Sequence, residues 1–106
     1  MVGMILDTRR SILEDFKKNR ERYFSLIRQI SKENNGKAYV FGSYVKGGWK
    51  GGSDVDILIV IPDRAERREI LKEISEKIRN PIFEFHVIHQ KEEKFYLKMI
   101  KDFKPL

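Results

Sequence analysis

The 106-residue chain contains no cysteine, so disulfides and thiolate metal sites are both excluded. That absence fits a reducing interior. No apolar run approaches the roughly 20 residues that a membrane-spanning helix needs, and no leader pattern opens the chain. A soluble, cytoplasmic protein is the expectation. Internal repeats, low-complexity tracts and linkers are also missing, so residues 1–106 are expected to form one domain around one core. Hydrophobic residues make up 41% and charged residues 36%, a balance that excludes a disordered chain.

Charge is present in plenty and leans to one sign. Twenty-two Lys and Arg stand against 16 Asp and Glu, for a formal net charge of +6. Such a surplus attracts polyanions: nucleotides, RNA or an acidic protein surface. The basic residues are nevertheless spread over helix faces with acids between them, as a solvated, Lys- and Glu-rich surface also requires. Charge alone therefore does not single out nucleic-acid binding.

Residues 1–10 read as a weakly patterned lead-in. Ser11 and Glu14 have the spacing of a capping box, and the apolar positions Leu13, Phe16, Tyr23, Ile27 and Ile30 predict a long amphipathic helix. Asn35-Gly36 ends it, with glycine taking the left-handed turn. Lys37 to Phe41 is a first strand, and Ser43 to Lys46 one helical turn opening into a loop with Gly47, Gly48, Gly51 and Gly52. Asp54 to Ile61 is a second strand, nearly continuous in Val, Ile and Leu, and so central and covered on both faces. After Pro62, Asp63 and Glu66 suggest a second capping box for a helix carrying Ile70, Leu71, Ile74 and Ile78. Asn80-Pro81 breaks it. Ile82 to Ile88 is a third strand, with Glu84 and His86 sharing a face with Ile82 and Ile88, and a last helix spans about Lys91 to Lys101. The order α-β-β-α-β-α predicts an α/β (α+β) sandwich with helices packed on a small mixed sheet.

The chemistry is concentrated between Tyr39 and Ile61. Asp54 and Asp56 stand at i and i+2 in a strand, so their carboxylates point to one face. Like charges so placed repel unless a cation lies between them. Hard oxygen ligands suit Mg²⁺ or Mn²⁺, with a substrate's phosphate oxygens completing the octahedron. Two acids hold two such ions poorly, so a third carboxylate is expected. Glu84, an acid within an otherwise apolar strand, is the candidate. Upstream, Gly42 lets backbone approach a phosphate, the Ser43 hydroxyl adds a donor and Lys46 a mobile positive charge.

Phe41-Gly42-Ser43, nine further residues, then Ser53-Asp54-Val55-Asp56-Ile57 resembles the signature of the DNA polymerase β-type nucleotidyltransferase superfamily. The chain's size resembles that superfamily's minimal nucleotidyltransferase branch. The resemblance implies a polymerase β-like core in which Gly42 and Ser43, with Lys46 and Ser53 nearby, bind the triphosphate. It implies that Asp54 and Asp56 bind metal, and that the third acid, Glu84, binds metal and helps to deprotonate an acceptor hydroxyl. The reaction implied is transfer of a nucleoside monophosphate from an NTP, ATP above all, with release of pyrophosphate. Members of this branch are often paired with a HEPN-domain protein, and some are antitoxins that AMPylate that partner. Two positions depart from the family pattern: Lys46 stands where Arg is common before the loop glycine, and Glu84 where Asp is more usual.

Plainer readings compete at each position. The Asp54–Asp56 pair alone could blunt a strand end, but Gly42-Ser43 upstream and the apolar strand downstream favour a metal. Glu84 could be an edge-strand acid paired with a lysine. His86 reads first as a sheet-face residue, although it could serve as base or ligand, and His89 lies at the strand exit. Lys46 and Lys50 are divided between solubility and phosphate contact. Trp49, in the loop, is open to base stacking or partner docking. Beside the enzyme stand two other functions: an antitoxin or subunit that caps a HEPN-type partner with little or no catalysis, and a small basic RNA-binding domain.

Overall fold

The computed structural model describes residues 2–50 and 53–106, with the backbone alone over 2–7. Gly51 and Gly52 of the glycine loop lie outside the described residues.

Helix α1 (Val2–Glu33) is followed by β1 (Lys37–Phe41), α2 (Ser43–Lys46), β2 (Val55–Ile61), α3 (Arg67–Lys77) and β3 (Phe83–His89). A 3₁₀ turn (Gln90–Glu92), α4 (Glu93–Ile100) and β4 (Phe103–Pro105) complete the chain. The sheet order is β3-β2-β1-β4, with β2 parallel to β3 and the other pairs antiparallel. β2 is central, as its apolar run requires: Ile57, Leu58 and Ile59 are fully buried. One face of the sheet (Val40, Val55, Ile57, Ile59, Phe83, Val87) packs on Phe16, Ile27 and Ile30 of α1 and Ile70 and Ile74 of α3. The other face (Tyr39, Leu58, Val60, Ile88) is covered by Tyr96, Leu97 and Ile100 of α4, with Phe103. No helix among the described residues is long and apolar enough to cross a membrane.

Several expectations are corrected. The first helix begins at Val2 and runs through Ser11, so Ser11–Glu14 is not its start. It is broken instead at Asn19 (φ −114°, ψ 20°), whose side-chain amide donates to the Asp15 carbonyl. A side chain that takes up a helix's own acceptor is a recognised cause of a kink. At its C-terminus the left-handed residue is Asn35 (φ 56°), not Gly36. Gly36 serves close approach: a Cβ there would stand 2.3 Å from the Val60 carbonyl oxygen. Asp63 does not cap α3, which starts at Arg67 without a side-chain cap; its carboxylate accepts from the Lys91 amide (2.9 Å). Leu71 is partly exposed rather than core. Ile82 precedes β3 and packs on the α1 side of the sheet, not with Ile88. The fourth strand, β4, pairs with the far edge of β1 where only a trailing Phe103 was expected.

A buried polar clasp joins α1 to the entry of β3. The Asn80 side chain, 5% exposed, donates to the Ile12 carbonyl (3.0 Å) and Asp15 Oδ2 (2.9 Å) and accepts from the Ile82 amide (2.9 Å). Tyr23 donates its hydroxyl to the same Asp15 oxygen. Asn80→Ala is expected to cost about 2–4 kcal/mol, because three partners lose their bonds inside the protein. Urea unfolding measures it, and a loss below about 1 kcal/mol would show the clasp to be dispensable.

The clasp also makes stability depend on pH. Hydrogen bonds from Tyr23, Asn80 and Asn19 hold the Asp15 carboxyl below its ordinary value. Its contribution is thus present above the ordinary carboxylate pKa near 4 and lost as pH falls through the lower folded value. Tyr23 is shifted up, by burial and by Asp15, and contributes in the opposite sense: its share is lost as pH rises past 10 through the raised value. Tyr39, buried and donating to Glu93, is pushed up to about 12 and extends that alkaline limb. Tyr23→Phe is expected to flatten both the acid limb and part of the alkaline limb in melting curves recorded against pH.

Candidate active site

The site lies at one end of the central strands on the α4 side of the sheet. Register places Phe41, Asp56 and Glu84 in one row across β1, β2 and β3, with Leu58 opposite His86 in the next. Asp56 and Leu58 share a face by the period of two, as do Glu84 and His86. Asp56, Glu84 and His86 offer ligand atoms that all lie within 4.8 Å of one another, a group able to hold a metal ion. His86 Nε2 is 3.6 Å from Glu84 Oε1 and 4.0 Å from Asp56 Oδ1.

Gly42, between β1 and α2, closes this site from behind. Its backbone (φ 77°, ψ −150°) is one that side chains rarely adopt, and a Cβ would stand 2.6 Å from Asp56 Oδ2. The expected helical turn over Ser43–Lys46 is present, with the Val45 and Lys46 amides bonded back to the Gly42 carbonyl (3.1 and 3.0 Å). Ser43 and Lys46 are exposed on it. Burial and the nearby Glu84 charge raise the Asp56 pKa, only partly offset by His86. Asp56 is half-buried and Glu84 exposed, and carboxylates so crowded are suited to a cation.

Asp54 lies just before β2, exposed, outside the group of three but near enough for its charge to raise Asp56. Ser53 is also exposed, its amide bonded to the Lys50 carbonyl (2.9 Å). Trp49 does not stand free. Its ring packs on Phe16 (5.8 Å between centroids) and Tyr44 (5.3 Å), and its Nε1 donates to the Ser53 carbonyl (3.0 Å). The tryptophan thus ties the segment leading into Asp54 to the core. His86, read first as a plain sheet-face residue, is brought into the acidic group; its place on the Glu84 face was the available signal. Tyr96 was missed altogether, and its hydroxyl lies 3.2 Å from His86 Nδ1. A cleft of about 830 Å³, lined by Arg64, Arg67 and Arg68 together with Asp63, Glu66 and Glu69, opens at the opposite ends of β2 and β3, apart from Asp56 and Glu84.

Residues 20–105 match the family model of the nucleotidyltransferase domain. The chain belongs to this nucleotidyltransferase family. A crystal structure of an inferred nucleotidyltransferase superposes with a TM-score of 0.63 at 32% identity, over 79% of this chain and 97% of that one. A second, from Sulfolobus solfataricus, shares the fold at 20% identity and a TM-score of 0.54, over 94% of this chain and 83% of that one. Among curated proteins, the chain is 28% identical over 75 residues to the poly(A) polymerase pla1 of Schizosaccharomyces pombe. That match takes in 71% of this chain and 13% of the polymerase's length. The four-stranded mixed sheet and its helices are accordingly a nucleotidyltransferase fold, and the chain is a nucleotidyltransferase by family. The residues of this nucleotidyltransferase that could hold a divalent ion are chemically suited to one, being carboxylates with a single imidazole.

Proposed function

We propose that this nucleotidyltransferase domain transfers a nucleoside monophosphate from an NTP, ATP by preference, to an acceptor hydroxyl. The observation that carries the reading is Asp56 paired with Glu84 across β2 and β3 and set against Gly42, whose missing Cβ leaves the Asp56 carboxylate its place. Asp54, Asp56 and Glu84 would hold Mg²⁺ or Mn²⁺. Bound there, such ions neutralise the charge of the phosphates and of the reacting oxygens. The Gly42 backbone, the Ser43 hydroxyl, Ser53 and the Lys46 ammonium receive the triphosphate. Glu84 takes the proton of the acceptor hydroxyl. That oxygen forms its bond to the α-phosphorus, and the bond to the bridging oxygen breaks with its electron pair leaving on pyrophosphate.

The acceptor we favour is a HEPN-domain partner, AMPylated and thereby silenced, in the cytoplasm. Incubation with labelled ATP, Mg²⁺ and the product of the neighbouring reading frame, followed by mass spectrometry, tests this. A mass increase of one AMP on the partner is the expected result. No nucleotide or metal binding by calorimetry would sink the enzyme reading. Should an Asp54/Asp56 double variant still neutralise the partner, binding rather than transfer is the function.

A further inference from the structure

We propose that His86 is a nitrogen ligand of the cation at Asp56 and Glu84, held in position by Tyr96, so that the site prefers Mn²⁺ to Mg²⁺. The inference deepens the metal reading above and rests on it.

His86 is fixed from behind and left open in front. Its Nδ1 is 3.2 Å from the Tyr96 hydroxyl, and its ring meets the edge of Phe41 at 5.2 Å. Its Nε2 faces Glu84 and Asp56 at 3.6 and 4.0 Å, too far for a hydrogen bond to either. These separations suit a shared ion. Ligand atoms about 2.1 Å from an octahedral centre are about 3.0 Å apart when adjacent, so a shift of about 1 Å or less would let Nε2 share an ion with either carboxylate.

The tautomer can follow. A phenol hydroxyl donates or accepts equally well. With Tyr96 donating, the imidazole proton sits on Nε2; with Tyr96 accepting, it sits on Nδ1 and the Nε2 lone pair faces the two acids. A cation selects the second arrangement, in which a ligating histidine gives its other N–H to a fixed acceptor. One imidazole among carboxylates biases a site away from Mg²⁺, which favours oxygen, and toward transition ions.

The test uses the full chain labelled with ¹⁵N-histidine, with Mn²⁺ and pyrophosphate, which carries no nitrogen of its own. Pulsed electron paramagnetic resonance is expected to show a directly coupled nitrogen that changes with the label and vanishes in His86→Asn. By calorimetry, Mn²⁺ should bind at least ~10-fold more tightly than Mg²⁺. His86→Asn should remove that preference while Mg²⁺ affinity stays within about 3-fold, and Tyr96→Phe should weaken Mn²⁺ by ~10-fold. Bound Mn²⁺ without histidine coupling in the unsubstituted protein overturns the assignment and leaves the carboxylate metal reading standing. Absence of any Mn²⁺ binding overturns both.

Discussion

Asp56→Asn is expected to reduce nucleotidyl transfer at least ~10³-fold, about 4 kcal/mol of transition-state stabilisation, without unfolding the protein. Asp56 stands at the centre of the acidic group: it faces Glu84 across the parallel pair, lies against Gly42 and stands near His86. The amide keeps the shape and removes the charge. Because the native carboxyl is partly buried and crowded by Glu84, its loss relieves repulsion in the metal-free protein. A gain of about 0.5 kcal/mol in stability is the expected companion, within the range for like charges on adjacent strands. Activity and stability should therefore move in opposite directions, the mark of a group retained for function. Single-turnover transfer assays and urea unfolding of the same preparation measure both. Retention of a tenth or more of the activity would place the chemistry elsewhere.

Gly42→Ala is the second large effect, and it should damage fold and site together. The backbone at φ 77° and ψ −150° costs a side-chain-bearing residue on the order of 1–3 kcal/mol. The new Cβ, 2.6 Å from Asp56 Oδ2, must also drive that carboxylate away. An overall loss of about 2–4 kcal/mol is expected, with transfer lowered at least ~100-fold, the usual penalty for a reactive group displaced by about 1 Å. The two contributions separate in a double-mutant cycle. Combined with Asp56→Ala, which removes the colliding oxygens, Gly42→Ala should cost about 1 kcal/mol less than it does alone. Equal costs in both backgrounds would show that the backbone conformation, not the collision, requires glycine.

Legibility in the sequence followed the strength of local signals. β1 and α2 have the expected bounds, and β2 differs only by the exclusion of Asp54, because a β-branched run between glycine and proline admits few other structures. β4 was not legible: three residues ending in Pro105 have no period to detect, and they become a strand only because the β1 edge is there to pair with. Ser11–Glu14 misled because a capping-box pattern also fits the interior of a helix whose break, at Asn19, is made by a side chain four residues from its acceptor. Trp49 looked free because the aromatic surface that receives it, Phe16 and Tyr44, is separated from it in the chain or already counted elsewhere. In the site, Glu84 was legible as the third acid because it interrupts an apolar strand, while the parallel pairing that sets it beside Asp56 came from the fold. His86 stood on the legible Glu84 face and was read first as a plain sheet-face residue, whereas Tyr96 gave no signal, because only the packing of α4 over that face brings it to His86.

The parallel pairing of β2 with β3 has a consequence in time. β1 and β2 are antiparallel neighbours joined through α2, so they can pair as soon as both exist, bringing Gly42 against Asp56 early. Glu84 and His86 reach Asp56 only after α3 has formed and crossed the sheet, and Tyr96 only after α4 has closed over it. A growing chain thus carries half a site until the segment from Phe83 to Tyr96 has been made. The acids and the imidazole meet only through this long-range pairing, and chemistry that depends on them waits for it.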